Sequence, residues 1–318
     1  MPPGKVLLDF MRQMSYNGSI IYRRTSGARK ESLLMQTVIA NKTFDEERSL
    51  YAIQDAEVVQ CTFAGPADGE SVLKECRNVH VKDCTFSLRY PLWHAKGYEL
   101  TGSSMDELTR APIWYAEHGI IDHSRINGIK CLRECDDTQI LHSEIHSPEF
   151  GWRCRGVKIA DTELESEYLF FESRDMDISD LRMKGKYSFQ YTQNVSIRSS
   201  NLDTKDAFWH SENVTVTDSV VKGEYLGWFS NGLTLINCAI IGTQPLCYCK
   251  NLKLINCRME GTDLSFEYSD VEADVQGHIL SVKNPRSGRI IADSVGEIIR
   301  EDAVMDCTGE VILRDSAR

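Results

Sequence analysis

No stretch of the 318 residues reaches the roughly 18 consecutive apolar residues of a membrane span, so no membrane partner is expected. The first 35 residues lack the apolar run of roughly 7 to 15 residues that marks a signal peptide, being interrupted by Arg12, Arg23, Arg24, Arg29 and Lys30. Basic excess is missing too. A net charge of −11 disfavours non-specific contact with phosphate backbones or anionic lipid, and no nucleic-acid partner is expected. There is no C-x-x-C pair, P-loop, dinucleotide fingerprint or nucleophile elbow. No cofactor and no metal are therefore expected. Proline is scarce, at 8 residues, and 42% of the chain is hydrophobic, so it can bury a core.

What is present is a repeat. Aligned on a small residue near the end of each segment, anchors fall at Ser143, Thr162, Leu181, Ser200, Ser219, Cys238, Cys257 and Gln276, each 19 residues after the last. Before them stand Cys61, Cys84, Ser103 and Ser124, with gaps of 23, 19 and 21 that read as small loop insertions. Five and three residues ahead of the anchors lie apolar pairs such as Val157 and Ile159, Val214 and Val216, Leu252 and Leu254. That alternation marks a strand with one buried face. Two residues after the anchors a second apolar column runs through Phe63, Phe86, Ile145, Leu164, Met183, Leu202, Val221, Ile240 and Met259.

A strand of about five residues recurring every 19 leaves no room for the helix of a βαβ crossover, which needs a dozen residues or more. The chain must coil, laying each strand parallel to the previous one at about 4.8 Å. The chirality of parallel crossovers makes the coil right-handed. The predicted fold is all-β, a single-stranded right-handed parallel β-helix, with about 13 turns from residue 52 onward. A leucine-rich repeat of similar length lacks its consensus here. One residue before the anchor, Asp83, His123, His142, Asp161, Asp180, Asp218, Asn237 and Asn256 form a file of short polar side chains suited to bonding the turn and one another. The 11 cysteines are an odd number, and several occupy the anchor column. Free buried thiols in a reducing compartment, and hence a cytoplasmic location, are the expectation.

The segments Asp68-Gly-Glu-Ser71, Leu73-Lys-Glu75, Tyr90-Pro-Leu-Trp93, Lys205-Asp-Ala-Phe-Trp-His-Ser-Glu-Asn-Val-Thr-Val216, Gly223-Glu-Tyr-Leu-Gly-Trp228 and Phe266-Glu-Tyr-Ser269 resemble a bacterial family of unknown function with the pectin-lyase-like fold. Some of its members are labelled as related to virulence factors. The resemblance runs from about residue 36 to the end and implies the fold, but it brings no assigned catalytic residues. Residues 1–36, with six basic against two acidic residues in the first 35, depart from the family's usual start. They read as a disordered or non-native extension, dispensable for a single β-helical domain spanning 37–318.

Sugar-cleaving members of this architecture use carboxylates on an outer face, or an arginine base beside acidic calcium ligands. Ten residues past the anchors stand Glu134, Arg153 and Glu172; the two glutamates are two turns apart, hence about 9.6 Å, the upper edge for an inverting pair. An ion-pair ladder accounts for all three without catalysis. His123 and His142, followed by Asp161 and Asp180, have residue types that bind divalent metals. A hydrogen-bonded turn ladder, with two histidines in place of asparagine, explains them better and is the reading adopted.

Aromatic residues fill adjacent columns: Trp93, Trp152, Phe171, Trp209, Trp228 and Phe266 in the ninth, and Phe170, Phe189 and Phe208 in the eighth. With neighbouring columns facing opposite ways, the tryptophans are assigned to the core. Phe170, Phe189 and Phe208 are then an exposed stripe, flanked by Tyr168, Tyr187 and Tyr225 on one side and Glu172, Tyr191 and His210 on the other. Such a stripe suits a glycan, a partner protein or a second copy of the chain as a homodimer. The expected function is non-catalytic binding of carbohydrate or protein; the alternative is a glycoside hydrolase or polysaccharide lyase with acidic residues beside the stripe.

Overall fold

The computed structural model describes residues 37–65 and 70–314, so the expectation for residues 1–36 lies outside the described residues. The strands of the described residues join in one continuous parallel system of about 14 turns, with no helix among them. Register follows the 19-residue repeat: Val195 pairs with Val214 and Val214 with Leu233, while Leu235 pairs with Leu254. This is the right-handed parallel β-helix that the repeat requires.

Each coil has three sides. The first is a six-residue strand such as Gln193–Arg198, Glu212–Thr217 or Asn231–Ile236, whose apolar pair points inward and is fully buried. After the anchor comes a three-residue strand such as Asn201–Asp203, Val220–Lys222 or Ala239–Ile241, burying its central residue. The third side is a turned segment, considered below. Full burial of each apolar side chain contributes roughly 1.5 to 3 kcal/mol, and the stacked coils supply such residues from three directions.

Most anchors are small and able to hydrogen-bond, because at the bend a side chain that both donates and accepts can tie two coils together, although Leu181 fills the same position with an apolar side chain. Ser219 Oγ donates to the carbonyl of Thr217 at 2.7 Å and accepts from the amide of Ser200 at 3.0 Å, tying two coils together. Cys84 does the same work with sulfur, its thiol donating to Lys82 O at 3.3 Å and accepting from the amide of Cys61 at 3.3 Å. Burial pushes the Cys84 thiol up to about 11 and that of Cys76 to about 12, so both stay protonated. The polar file one residue earlier adopts left-handed φ near +50°, where Asn and Asp are tolerated, and bonds along the axis: Asn237 Nδ2 to Asp218 Oδ1 at 2.8 Å, then Asn256 Nδ2 to Asn237 Oδ1 at 2.9 Å.

One anchor is displaced. Cys257 pairs with Val275 rather than Gln276, because a register shift shortens that coil by one residue.

Candidate binding surface

On the third side the expected alternation fails, and with it the expected orientation of the stripe. Phe170, Phe189 and Phe208 are 0, 0 and 1% exposed, stacked inside the coil with centroids 5.8 and 5.3 Å apart. Gly151, at φ +71°, lies directly against the Phe170 ring, since a Cβ there would fall 2.3 Å from Cδ1. The phenylalanines are core, not surface. The tryptophans are correspondingly not core: Trp93, Trp152, Trp209 and Trp228 are half-buried at the rim, and Phe266 is the ninth-column assignment that is buried.

The cause lies in the backbone. The eighth and tenth residues of the segment have left-handed φ, as at Phe170 and Glu172 (both +54°), Phe189 and Tyr191 (+58° and +56°), or Phe208 and His210 (+62° and +53°). A pleated strand would send neighbours to opposite faces, but left-handed residues interleaved with ordinary ones turn the seventh and eighth side chains inward together. The ninth then lies along the rim, and the tenth faces solvent.

The tenth column is the surface file, and its composition changes along the axis. In the middle, Arg153 Nε lies 2.7 Å from Glu172 Oε2 and its Nη1 3.9 Å from Glu134 Oε1. The hydrogen bond with Glu172 holds the guanidinium protonated more firmly than usual, with Glu134 adding to it. An elimination base would require the opposite shift. Beside this segment Arg133 is sandwiched between Trp114 and Trp152, 4.6 and 4.7 Å from their centroids.

Toward the C-terminus the same column becomes aromatic. Tyr191, His210, Phe229 and Tyr248 stack in order at 4.9, 4.9 and 4.8 Å with interplanar angles of 9, 7 and 13°, and Tyr268 follows at 5.7 Å. Tyr191 and Phe229 are 48 and 43% exposed. Trp209 and Trp228, stacked at 5.5 Å, back the file, with each indole Nε1 tied to a backbone carbonyl, Tyr225 O at 2.6 Å and Gln244 O at 2.8 Å. Between the rings and Gln193, Glu212, Asn231 and Lys250 runs a shallow groove of about 530 Å³. Burial pushes the Tyr248 phenol up, keeping its hydroxyl a donor.

Of the expected site residues, Tyr191 and His210 belong to this file, and Glu172 lies one coil before it. Tyr168 and Tyr187 stack at 4.8 Å on the opposite flank of the segment, where Tyr225 meets Trp228 edge-on at 5.3 Å. Phe229, Tyr248 and Tyr268 complete the file and were not among the expected binding residues. Phe229 and Tyr248 were legible by column count; Tyr268 was hidden because that coil has 20 residues, as the bond from Cys249 N to Ser269 Oγ shows.

A second groove, of about 640 Å³, lies over the short strands. Three of its carboxylates meet bases across adjacent coils: Arg125 Nη2 lies 3.4 Å from Glu144 Oε1, Arg182 Nε 2.9 Å from Glu163 Oε1, and Lys222 Nζ 3.2 Å from Asp203 Oδ2. It is a charge-paired surface.

Residues 37–312 match a family described as a protein of unknown function (DUF3737). The chain belongs to this family. No curated protein matches it in sequence. Among solved structures it is similar to PfbA, a surface adhesin of Streptococcus pneumoniae, with 10% identity and a TM-score of 0.51 over 74% of this chain and 86% of that one. It is also similar to the catalytic domain of a GH87 alpha-1,3-glucanase in complex with nigerose (9% identity, TM-score 0.44, 88% of this chain and 64% of that). A third is a mannuronic acid specific polysaccharide family 6 lyase from human gut microbiota (8%, 0.31, 89% and 83%). At such identities the likeness is one of fold, which hosts many functions.

Proposed function

We propose that this member of the family is a non-catalytic binding protein that holds a linear carbohydrate along the file Tyr191–His210–Phe229–Tyr248–Tyr268. The observation that carries the reading is a stack of four rings, three of them exposed and the fourth, Tyr248, half-buried, continued by the tilted and half-buried Tyr268, beside a groove lined by amide, carboxylate and ammonium groups. Stacked rings cover one another's faces and present edges, phenol hydroxyls and imidazole nitrogen to solvent. Each coil thus repeats a ring edge at a spacing of about 4.8 Å, with hydrogen-bonding groups from Tyr191, His210 and Tyr248 on either side of the purely apolar Phe229. A repeating site of this kind suits a repeating ligand whose hydroxyls alternate with C–H surface. The buried free thiols support a reducing compartment for the protein and its ligand.

The test is a panel of linear oligosaccharides, uronate and neutral glucan, probed with the wild type and with Phe229→Ala and Tyr248→Ala, with reducing-end and unsaturated-product assays alongside. Binding by the wild type that both variants lose, with no product released, is the expected result. Binding that survives both substitutions removes the file from the site. Released product would replace the reading with an enzymatic one, and capture of a second copy instead of sugar would make the file a dimer interface.

A further inference from the structure

On another side of the coil, two histidines and an aspartate converge. His123 Nδ1 lies 2.8 Å and His142 Nδ1 2.9 Å from the same Asp122 Oδ1. The two imidazoles, one coil apart, stack at 4.7 Å with 27° between planes. The donor atoms of all three residues fall within 4.8 Å of one another. The polar turn file alone does not produce this, because Asp122 stands one position outside the file and reaches across to serve both rings.

We propose that Asp122, His123 and His142 form a surface site for a borderline divalent transition metal such as zinc or nickel. Two imidazole nitrogens with one carboxylate oxygen are the donor set such ions favour over calcium or magnesium. With metal–ligand bonds of about 2.1 Å, neighbouring ligands lie about 3.0 Å apart around an octahedral ion and about 3.4 Å apart around tetrahedral zinc. The oxygen-to-nitrogen distances of 2.8 and 2.9 Å are close to that edge, and the two imidazole ligand atoms, within 4.8 Å of each other, would close on the ion by turning of the rings. Both histidines have φ of +46°, fixed by the turn, which holds the rings side by side. Of the neighbouring file positions, Asp161 follows His142 and is already paired with Arg182 at 3.4 Å, so the site rests on Asp122, His123 and His142 alone. The histidines are exposed, so water completes the coordination.

The test is calorimetric titration of chelator-treated full-length chain with zinc chloride, nickel chloride and magnesium chloride, for the wild type, His142→Asn, His123→Asn and Asp122→Asn. Asparagine already occupies the same file position at residues 237 and 256 with φ of +53° and +51°, so the histidine variants keep a side chain the turn accepts. One equivalent of zinc or nickel bound by the wild type, weakened at least about tenfold in each variant whose metal-free melting temperature is unchanged, is expected, with no response to magnesium. Absence of stoichiometric zinc and nickel binding by the wild type overturns the proposal. So does an isotherm that the folded variants leave unaltered.

Discussion

The inner file Phe170–Phe189–Phe208 and the outer file Tyr191–His210–Phe229–Tyr248 stand two residues apart on successive coils. Both consist of stacked rings, both sit at left-handed φ, and both repeat every 19 residues. One is sealed in the core and the other half in water. Ring stacking therefore comes from the solenoid's repeat and says nothing about which way a column faces. Aromatic content indicates a surface only where the backbone turns it outward. Along the outer column the same lesson recurs, because Glu134–Arg153–Glu172 occupies the same backbone geometry as the aromatic stretch, yet there the column holds an arginine bridging two carboxylates instead of rings.

The strongest way to break this comparison is to charge each file. Phe189→Asp buries a carboxylate without a partner, and no soluble folded protein is expected, whereas Phe229→Asp should express and fold. Phe189→Ala should cost about 3 to 5 kcal/mol by urea denaturation and Phe229→Ala about 1 kcal/mol or less. Equal losses at the two positions would erase the distinction between inner and outer.

Gly151→Ala probes the contact beneath the inner file. A methyl at φ +71° within 2.3 Å of the Phe170 ring should lower stability by more than about 1 kcal/mol, read from the urea midpoint. A neutral substitution would mean that the Phe170 ring is free to move aside.

Alkaline titration separates inside from outside without mutation. Burial raises the folded-state values of Cys84 and Cys76 from 9.0 to about 11 and about 12. A raised value means that the unfolded chain loses its protons first, so the contribution is whole below pH 9 and is lost as pH climbs through 11 to 12. Melting temperature should fall over that window. A double Cys84→Ser, Cys76→Ala chain should flatten the fall; an unchanged slope would assign it to other groups.

The smallest effect is expected in the charged stretch. Arg153→Ala removes an exposed partner of two glutamates and should barely move the urea midpoint, an effect that salt should reduce further. It should leave oligosaccharide binding at the aromatic file untouched. A large binding loss would extend the site across the middle of the column.

Much of this was legible in advance. The period of 19, the apolar pairs of the first strand, the column after the anchor and the polar turn file all follow from side chains that repeat where the backbone repeats. Where coils change length the count slips, as at Val275 for Gln276 and at Tyr268. The meeting of Asp122 with His123 and His142 was illegible for another reason: a side chain that leans from one column to the next leaves no mark on a column-by-column alignment.

The sequence by itself determined that the chain coils and, wherever the period stays at 19, which columns stack, because a short apolar strand recurring every 19 residues leaves no room for a crossover helix and buries its face only against the next coil. Only the tertiary structure decided which columns of the third side face water. That choice depends on left-handed φ at alternate residues, here occupied by Phe, Tyr, His, Glu and Arg rather than by the glycines or asparagines that would have announced it. It is stabilised by the coil above and the coil below through bonds such as Phe189 N to Leu169 O at 2.8 Å and Tyr191 N to Trp209 O at 2.8 Å. A conformation held by neighbouring coils is invisible to local propensity, and it placed the tyrosines, the histidine and Phe229 at the surface while drawing Phe170, Phe189 and Phe208 inside.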